Sequence, residues 1–242
     1  MLVWKNTKTL DGFDKGLSFT KSKEKANIAL IGSKPINLDQ FPNIKGLFRA
    51  GIGKDNVPEE LAKEKGVIVR YPSQKIMNVI FDETASFTCS LIFRMLYNDI
   101  GTIDPWEKVP RLKFSKKKLL IIGRGKIGGR VYNQMKNFMD VISFDILSNK
   151  ILDLKLSIQQ ADCISIHIPK SNENIAFFNE EKLSWMKNNS VLINTARGSI
   201  VDEDALYNEL KNKRIKAAFD VYWDEPYNGR LKELYPEYFY MT

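Results

Sequence analysis

Two short stretches hold the side chains best suited to chemistry. In "GRGKIG", Gly123, Arg124, Gly125, Lys126, Ile127 and Gly128 form a G-x-G-x-x-G that follows the apolar run "KLLII". In that setting the first glycine permits a tight turn and the second lets backbone approach a pyrophosphate. The third lets a helix pack close on a strand, and the helix N-terminus offers free N–H donors and a positive dipole. Asp145 ends the next apolar run, twenty residues after Gly125, where a carboxylate accepts from both ribose hydroxyls of an adenosine. Its charge repels a 2′-phosphate, which selects NAD over NADP; Arg124 and Lys126, either able to reach a phosphate, pull weakly the other way. A ligand-free glycine turn is the plainer alternative, and strand, helix start and acid in sequence weigh against it. The second stretch, "AFDVYWDEP", carries Asp220 and Glu225 with an exposed-looking Trp223 between them. A carboxylate just past a strand end, as Glu225 is, can hold and charge a neighbouring imidazole. The chain has one histidine, His167, far upstream in a different segment.

The elements that must position these groups alternate in kind. "ANIALIG" (26–32), "IKGLFRAG" (44–51) and "GVIVRYP" (66–72) are brief, branched and ended by Gly or Pro, so they read as strands. "VPEELAKEKG" (57–66) reads as a helix with Pro58 in its first turn and Gly66 past its end. The longest helical pattern, 78–99, is largely apolar and is expected to be buried. Residues 100–117, with two prolines, a glycine and no clear period, form the best candidate linker between domains at 1–99 and 118–242. A second series follows: strand 118–123, helix from about 126 to 138, strands 140–145, 162–169 and 190–196, helix 202–213 and strand 215–221. Such alternation implies parallel strands with crossover helices, hence two α/β domains, the second a doubly wound sheet.

Composition narrows the rest. At 242 residues, 43% hydrophobic and 27% charged, the chain can form one large or two modest cores. No apolar run approaches the ~18–20 residues of a membrane span, and the N-terminus lacks a secretory layout, so a cytoplasmic protein is expected. Cys89 and Cys163 lie in apolar contexts and read as buried thiols. No metal-ligand spacing appears. The net charge of +8 raises the question of an acidic partner. Its lysines are dispersed, and no nucleic-acid-binding pattern accompanies them. A solvated surface that attracts small anions is the better reading.

Residues 163–226 resemble the NAD-dependent D-2-hydroxyacid dehydrogenases. The resemblance rests on His167 and Pro169 at a strand end, Met186-Lys187, and Ile193-Asn194 through Arg197-Gly198. Val201-Asp202, Asp220-Val221 and Glu225-Pro226 complete the ordered set. "FRAGIGKDNVPEELAKEKGVIVRYP" is similar to the family's substrate loop and following helix, with wording nearest the phosphoglycerate dehydrogenase branch. The resemblance implies a Rossmann NAD-binding domain and a smaller flavodoxin-like α/β substrate domain. It also implies a 2-hydroxy or 2-oxo acid substrate resembling 3-phosphoglycerate, glycerate or lactate, and a homodimer.

Roles follow from the resemblance. Arg197 would grip the substrate carboxylate with its planar fork. Backbone N–H groups of Gly51, Ile52 and Gly53 would hold the same carboxylate, and Lys34 would lie near the substrate. Asp220 would accept from the nicotinamide carboxamide; His167, Pro169, Thr195 and Ala196 would line the cofactor site. Plainer readings exist: a simple turn for Gly51 and Gly53, a surface ion pair for Arg197, a structural histidine for His167.

Hydride transfer from a hydroxy acid also needs a base for the hydroxyl proton, a task suited to histidine. In the resembled family that histidine belongs to a Pro-His pair just after the last strand, oriented by the glutamate that corresponds to Glu225. This sequence reads "LYPEYFYMT" and stops at Thr242. The expectation is a chain that binds NAD but turns over poorly, whether a fragment, an interrupted reading frame or an inactive relative. Tyr235, Tyr238, Phe239 and Tyr240 are expected to form an exposed aromatic strand. The competing function is an NAD-sensing scaffold similar to the C-terminal binding protein corepressors.

Overall fold

Parallel strands need a crossover of a dozen or more residues between them, and the spacing of the apolar runs supplies it twice. The computed structural model describes residues 1–97, 101–108, 110, 113–145, 148–149 and 151–242. The chain divides into two compact units, Met1–Ile80 and Phe81–Thr242.

In the first unit β1 (Leu2–Lys5), β2 (Ser18–Phe19), β3 (Ile28–Ile31), β4 (Gly46–Arg49) and β5 (Ile68–Arg70) form one sheet in the order β2-β1-β3-β4-β5. All pairings are parallel. This is the flavodoxin-like order. Helix α1 (Glu59–Glu64) follows Pro58, carries Glu59 and Glu60 in its first turn and is closed by Gly66 at φ +67°, as its sequence predicts. Ala26, Ala29, Ile31, Leu38, Leu47 and Ala62 form the core of this unit.

Helix α2 (Gln74–Leu96) runs across the division between the units. The expectation of a buried helix needs correction. Ala85, Thr88, Cys89, Leu91, Ile92 and Met95 are buried, whereas Ile76 and Val79 are more than half exposed. By length and composition alone α2 could cross a membrane, although Asp82 and Glu83 interrupt its apolar residues. Part of the expected linker, residues 100, 109, 111 and 112, lies outside the described residues, as do residues 98 and 99 of the expected helix.

The second unit contains β6 (Lys118–Ile122), α3 (Gly128–Met135), β7 (Asp140–Phe144), α4 (Ile151–Gln160) and β8 (Cys163–Ile166). There follow α5 (Glu180–Ser184), β9 (Val191–Asn194), α6 (Glu203–Lys211), β10 (Lys216–Phe219) and β11 (Phe239–Met241). Its six-stranded parallel sheet has the order β11-β10-β9-β8-β6-β7. The order in which the chain adds strands therefore reverses at β6, which makes the gap between β6 and β8 a topological switch point. Because strand side chains alternate, Leu120, Ile122, Ile164, Ile166 and Leu192 feed one core. Leu119, Ile121, Cys163, Val191 and Ile193 feed the other. Both cysteines are buried free thiols, and burial pushes Cys89 up to about 11. The aromatic strand also departs from expectation. Phe239 is fully buried, Tyr240 lies under the Arg94 guanidinium, and among the four aromatics Tyr235 alone is strongly exposed.

Candidate cofactor and substrate sites

The glycine turn sits at the C-terminal end of β6, at the switch point, where α/β sheets open a crevice. Its three glycines have three different surroundings. Gly123 has φ +91°, and a Cβ there would lie 2.8 Å from the His167 carbonyl oxygen. A Cβ on Gly128 would lie 2.0 Å from the Gly123 carbonyl oxygen, so α3 packs directly on the turn. Gly125 has nothing within 4 Å of its Cβ position; its backbone is open to a ligand. Among the described residues, the amide N–H groups of Gly125, Lys126, Ile127 and Gly128 have no acceptor. Four unmet donors at a helix start make an anion cradle. An open recess of about 420 Å³ beside them is lined by Arg124, Lys126, Arg130 and Asn133.

Asp145 follows β7, beside β6, and its Oδ2 accepts from the Arg124 N–H at 3.0 Å. The turn and the acid are thereby locked to each other. The Arg124 guanidinium lies 4.2 Å over the Tyr132 ring, a stacked position that keeps it beside the turn. This constellation fits a dinucleotide: open backbone and free amides for the phosphates, a carboxylate one strand away for the ribose.

His167 closes the other side of the turn. Its Nε2 is 2.9 Å from Ser165 Oγ, and burial pushes its pKa down to about 4. The imidazole is neutral at pH 7 and bonded inward. Pro169 is exposed, and its carbonyl accepts from Asn174 Nδ2 at 2.8 Å.

The strand end β9 carries the next group. Asn194, fully buried, accepts from the Ala196 N–H and donates to the Arg197 carbonyl, at 3.0 and 2.9 Å. This side chain folds the loop that presents Arg197, whose Nη1 donates to the Ala196 carbonyl. A Cβ on Gly198 would lie 2.2 Å from the Tyr222 carbonyl carbon, so the Arg197 loop lies directly against the loop that bears Glu225. Thr195 Oγ1 meets Thr88 Oγ1 of α2 at 2.9 Å. Since Thr88 spends its proton on the Thr84 carbonyl, Thr195 is the donor of that pair.

Past β10, the Asp220 N–H donates to the Asn194 carbonyl, and its Oδ1 accepts from the Thr242 hydroxyl at 3.0 Å. Burial raises the Asp220 carboxyl, the Thr242 hydroxyl opposes the shift, and Glu225 reinforces it. Glu225 is exposed, and its Oε1 is 3.4 Å from the Tyr222 N–H. Trp223 is not the exposed ring its neighbours suggest: it donates to the Val201 carbonyl and stacks on Phe219.

In the first unit the loops after β3 and β4 are tied together by Asn56. Its Nδ2 donates to the Gly32 and Lys34 carbonyls, and its Oδ1 accepts from Arg49 Nε. Lys34 is exposed there, next to the turn at 51–53. One expectation changes. The Gly51 N–H is spent on the Arg49 carbonyl at 2.9 Å, and a Cβ at Gly51 would strike the buried Arg49 guanidinium at 2.6 Å. Gly51 makes room for Arg49 rather than offering a donor. The N–H groups of Ile52 and Gly53 have no acceptor among the described residues. Arg49, Asn56, Thr88 and Thr242 are positioning groups that sequence reading passed over, because their partners are remote in the chain or ordinary backbone.

Comparison with known proteins agrees with this geometry. The family model for "D-isomer specific 2-hydroxyacid dehydrogenase, NAD binding domain" matches residues 101–237. A glycerate dehydrogenase of Methylorubrum extorquens is 31% identical over 220 residues, covering 83% of this chain and 69% of the relative. A D-3-phosphoglycerate dehydrogenase of Methanocaldococcus jannaschii is 30% identical over 209 residues, covering 78% of this chain but 39% of the relative, well under half its length. In fold, the chain is similar to a D-lactate dehydrogenase from Aquifex aeolicus, solved with NAD and lactic acid. That match has a TM-score of 0.80 at 22% identity, covering 100% of this chain and 87% of the other.

Proposed function

The chain belongs to the D-isomer-specific 2-hydroxyacid dehydrogenase family, and from that premise we propose that it transfers a hydride between C2 of a D-2-hydroxy acid and NAD. The observation that carries this reading is the turn at Gly123–Gly128, with its open backbone, unmet amides and Asp145 alongside. When bound, the dinucleotide supplies the nicotinamide that accepts the hydride. The chain's own groups do the rest. Lys126 and the turn amides hold the pyrophosphate, and Asp145 accepts from the ribose hydroxyls. Asp220 accepts from the carboxamide, and His167, Pro169, Thr195 and Ala196 line the nicotinamide. Arg197 holds the substrate carboxylate through charge-assisted bonds, which orients C2. In the first unit, the amides of Ile52 and Gly53, with the exposed Lys34 on a neighbouring loop, suit an anion as well. In this reading residues 1–99 are the substrate domain, 100–117 the linker and 118–242 the nucleotide domain. A 3-phosphoglycerate-, glycerate- or lactate-like acid is the substrate class, and a cytoplasmic homodimer is the form the family resemblance supports.

The proton is the weak point. In this reading Glu225 would orient an imidazole, yet the lone histidine of these 242 residues is neutral and turned toward Ser165. A positioned acid–base group contributes about 10²–10⁴-fold in rate. The 242-residue chain is therefore expected to bind NAD with measurable heat and to form NADH slowly from D-3-phosphoglycerate or D-lactate. Added free imidazole should raise that rate. Fast turnover insensitive to imidazole would overturn the impairment; absence of any heat or thermal shift with NAD and NADH would overturn the whole reading. The same inward-turned histidine favours a second reading, an NAD-responsive scaffold. That reading gains if peptide partners are captured while hydride transfer stays absent even with imidazole.

A further inference from the structure

The register of β10 and β11 sets a hydroxyl against a carboxylate. Ala217 pairs with Phe239 and Phe219 with Met241, so Thr242 and Asp220 emerge side by side where the two strands end. Thr242 is clasped there on several sides. Its N–H donates to the Phe219 carbonyl at 3.2 Å and lies 3.1 Å from the Tyr222 hydroxyl, which is also 3.1 Å from the Thr242 carbonyl. Its own hydroxyl reaches Asp220 Oδ1 at 3.0 Å and the Phe219 carbonyl at 3.2 Å. A single hydroxyl proton serves the charged acceptor better than the neutral one. Asp220 is exposed, and among the described residues its second oxygen, Oδ2, has no hydrogen-bond partner. One oxygen is thus anchored and the other presented.

We infer that Thr242 is a positioning residue: with its backbone held by Phe219 and the Tyr222 hydroxyl, its own hydroxyl fixes the Asp220 carboxylate so that Oδ2 faces the amide of a bound nicotinamide. The inference rests on the reading that Asp220 meets the carboxamide. An unanchored aspartate samples several rotamers, and ordering it costs affinity each time a ligand binds. Thr242 removes that cost beforehand. The benefit is confined to ligands that carry the nicotinamide, because the adenosine and pyrophosphate contacts lie at the separate β6 turn.

The test compares NAD with ADP-ribose, which lacks the nicotinamide, by calorimetry on the 242-residue chain. Thr242→Val should weaken NAD about fivefold, the typical effect of losing one such bond, and leave ADP-ribose within about twofold. Thr242→Ser should restore NAD binding, and Tyr222→Phe should weaken NAD in the same selective way. Asp220→Ala separates the premise from the inference. If it weakens NAD selectively while Thr242→Val does not, the inference alone is overturned. If neither variant distinguishes the two ligands, the carboxamide reading fails and takes the inference with it. Equal weakening of both ligands by Thr242→Val would mark a general structural role and also overturns it.

Discussion

At the scale of single residues, charge and burial decide what each group can do. Asp145 is held by the Arg124 N–H with its carboxylate beside the turn, where in the proposed reading it would favour ribose hydroxyls and repel a 2′-phosphate. Replacing it by Ala is expected to weaken NAD about tenfold, the value of a charged hydrogen bond, while NADP binding improves relative to NAD; titration calorimetry with both cofactors checks this. His167 gives a pH signature. Its pKa is about 4 in the folded chain against an ordinary 6.5, so the unfolded chain binds the proton more readily. The stabilisation is fully present above about 6.5 and is lost as pH falls toward 4, on the order of 3 kcal/mol in all. Urea unfolding across that range should show a steeper fall for the native chain than for His167→Gln. Equal slopes would place the imidazole in solvent. The residue type, His, was legible in sequence; its inward bond to Ser165 was not.

At the scale of elements, the glycines of the turn make separable predictions. Gly128→Ala puts a methyl 2.0 Å from the Gly123 carbonyl oxygen. It should push α3 off β6, destabilise the fold by about 2–3 kcal/mol and abolish NAD binding. Gly125→Ala meets nothing within 4 Å, so melting should be unchanged while NAD weakens, because the methyl occupies the face a pyrophosphate must approach. Loss of stability in both, or in neither, would contradict this division. The turn was legible because three glycines, a strand and an acid fall at diagnostic spacing. Helix α4 was not. "LDLKLSI" alternates apolar and polar residues like a strand, yet Leu154 and Ile158 are fully buried and Leu156 is more than half exposed, the spacing of a helical face. The need to cross between β7 and β8 in parallel overrides the local pattern. Likewise β1 and α5 passed unremarked, being short and irregular in period.

At the scale of the whole molecule, the net charge of +8 suits the small anionic ligands that the proposed function assigns to this chain. Screening shortens the reach of that field to about 3 Å at 1 M salt. Affinity for a phosphorylated hydroxy acid should therefore fall with ionic strength more steeply than affinity for a lactate-like acid. Equilibrium binding of both across a salt series checks it, and equal slopes would show that the phosphate meets no cluster of charge.

The order of types along the chain was enough to determine an α/β architecture, a glycine turn at Gly123–Gly128 with Asp145 beside it, and the family. Those features are local, since a turn, a strand end or a periodic face is written in neighbouring residues. Tertiary structure alone decided which side chains meet. The donor role of Thr195 toward Thr88 depends on helix α2 packing against the second sheet, and the meeting of Thr242 with Asp220 depends on strand pairing between remote segments. Register is a property of two strands together, and neither segment carries it by itself.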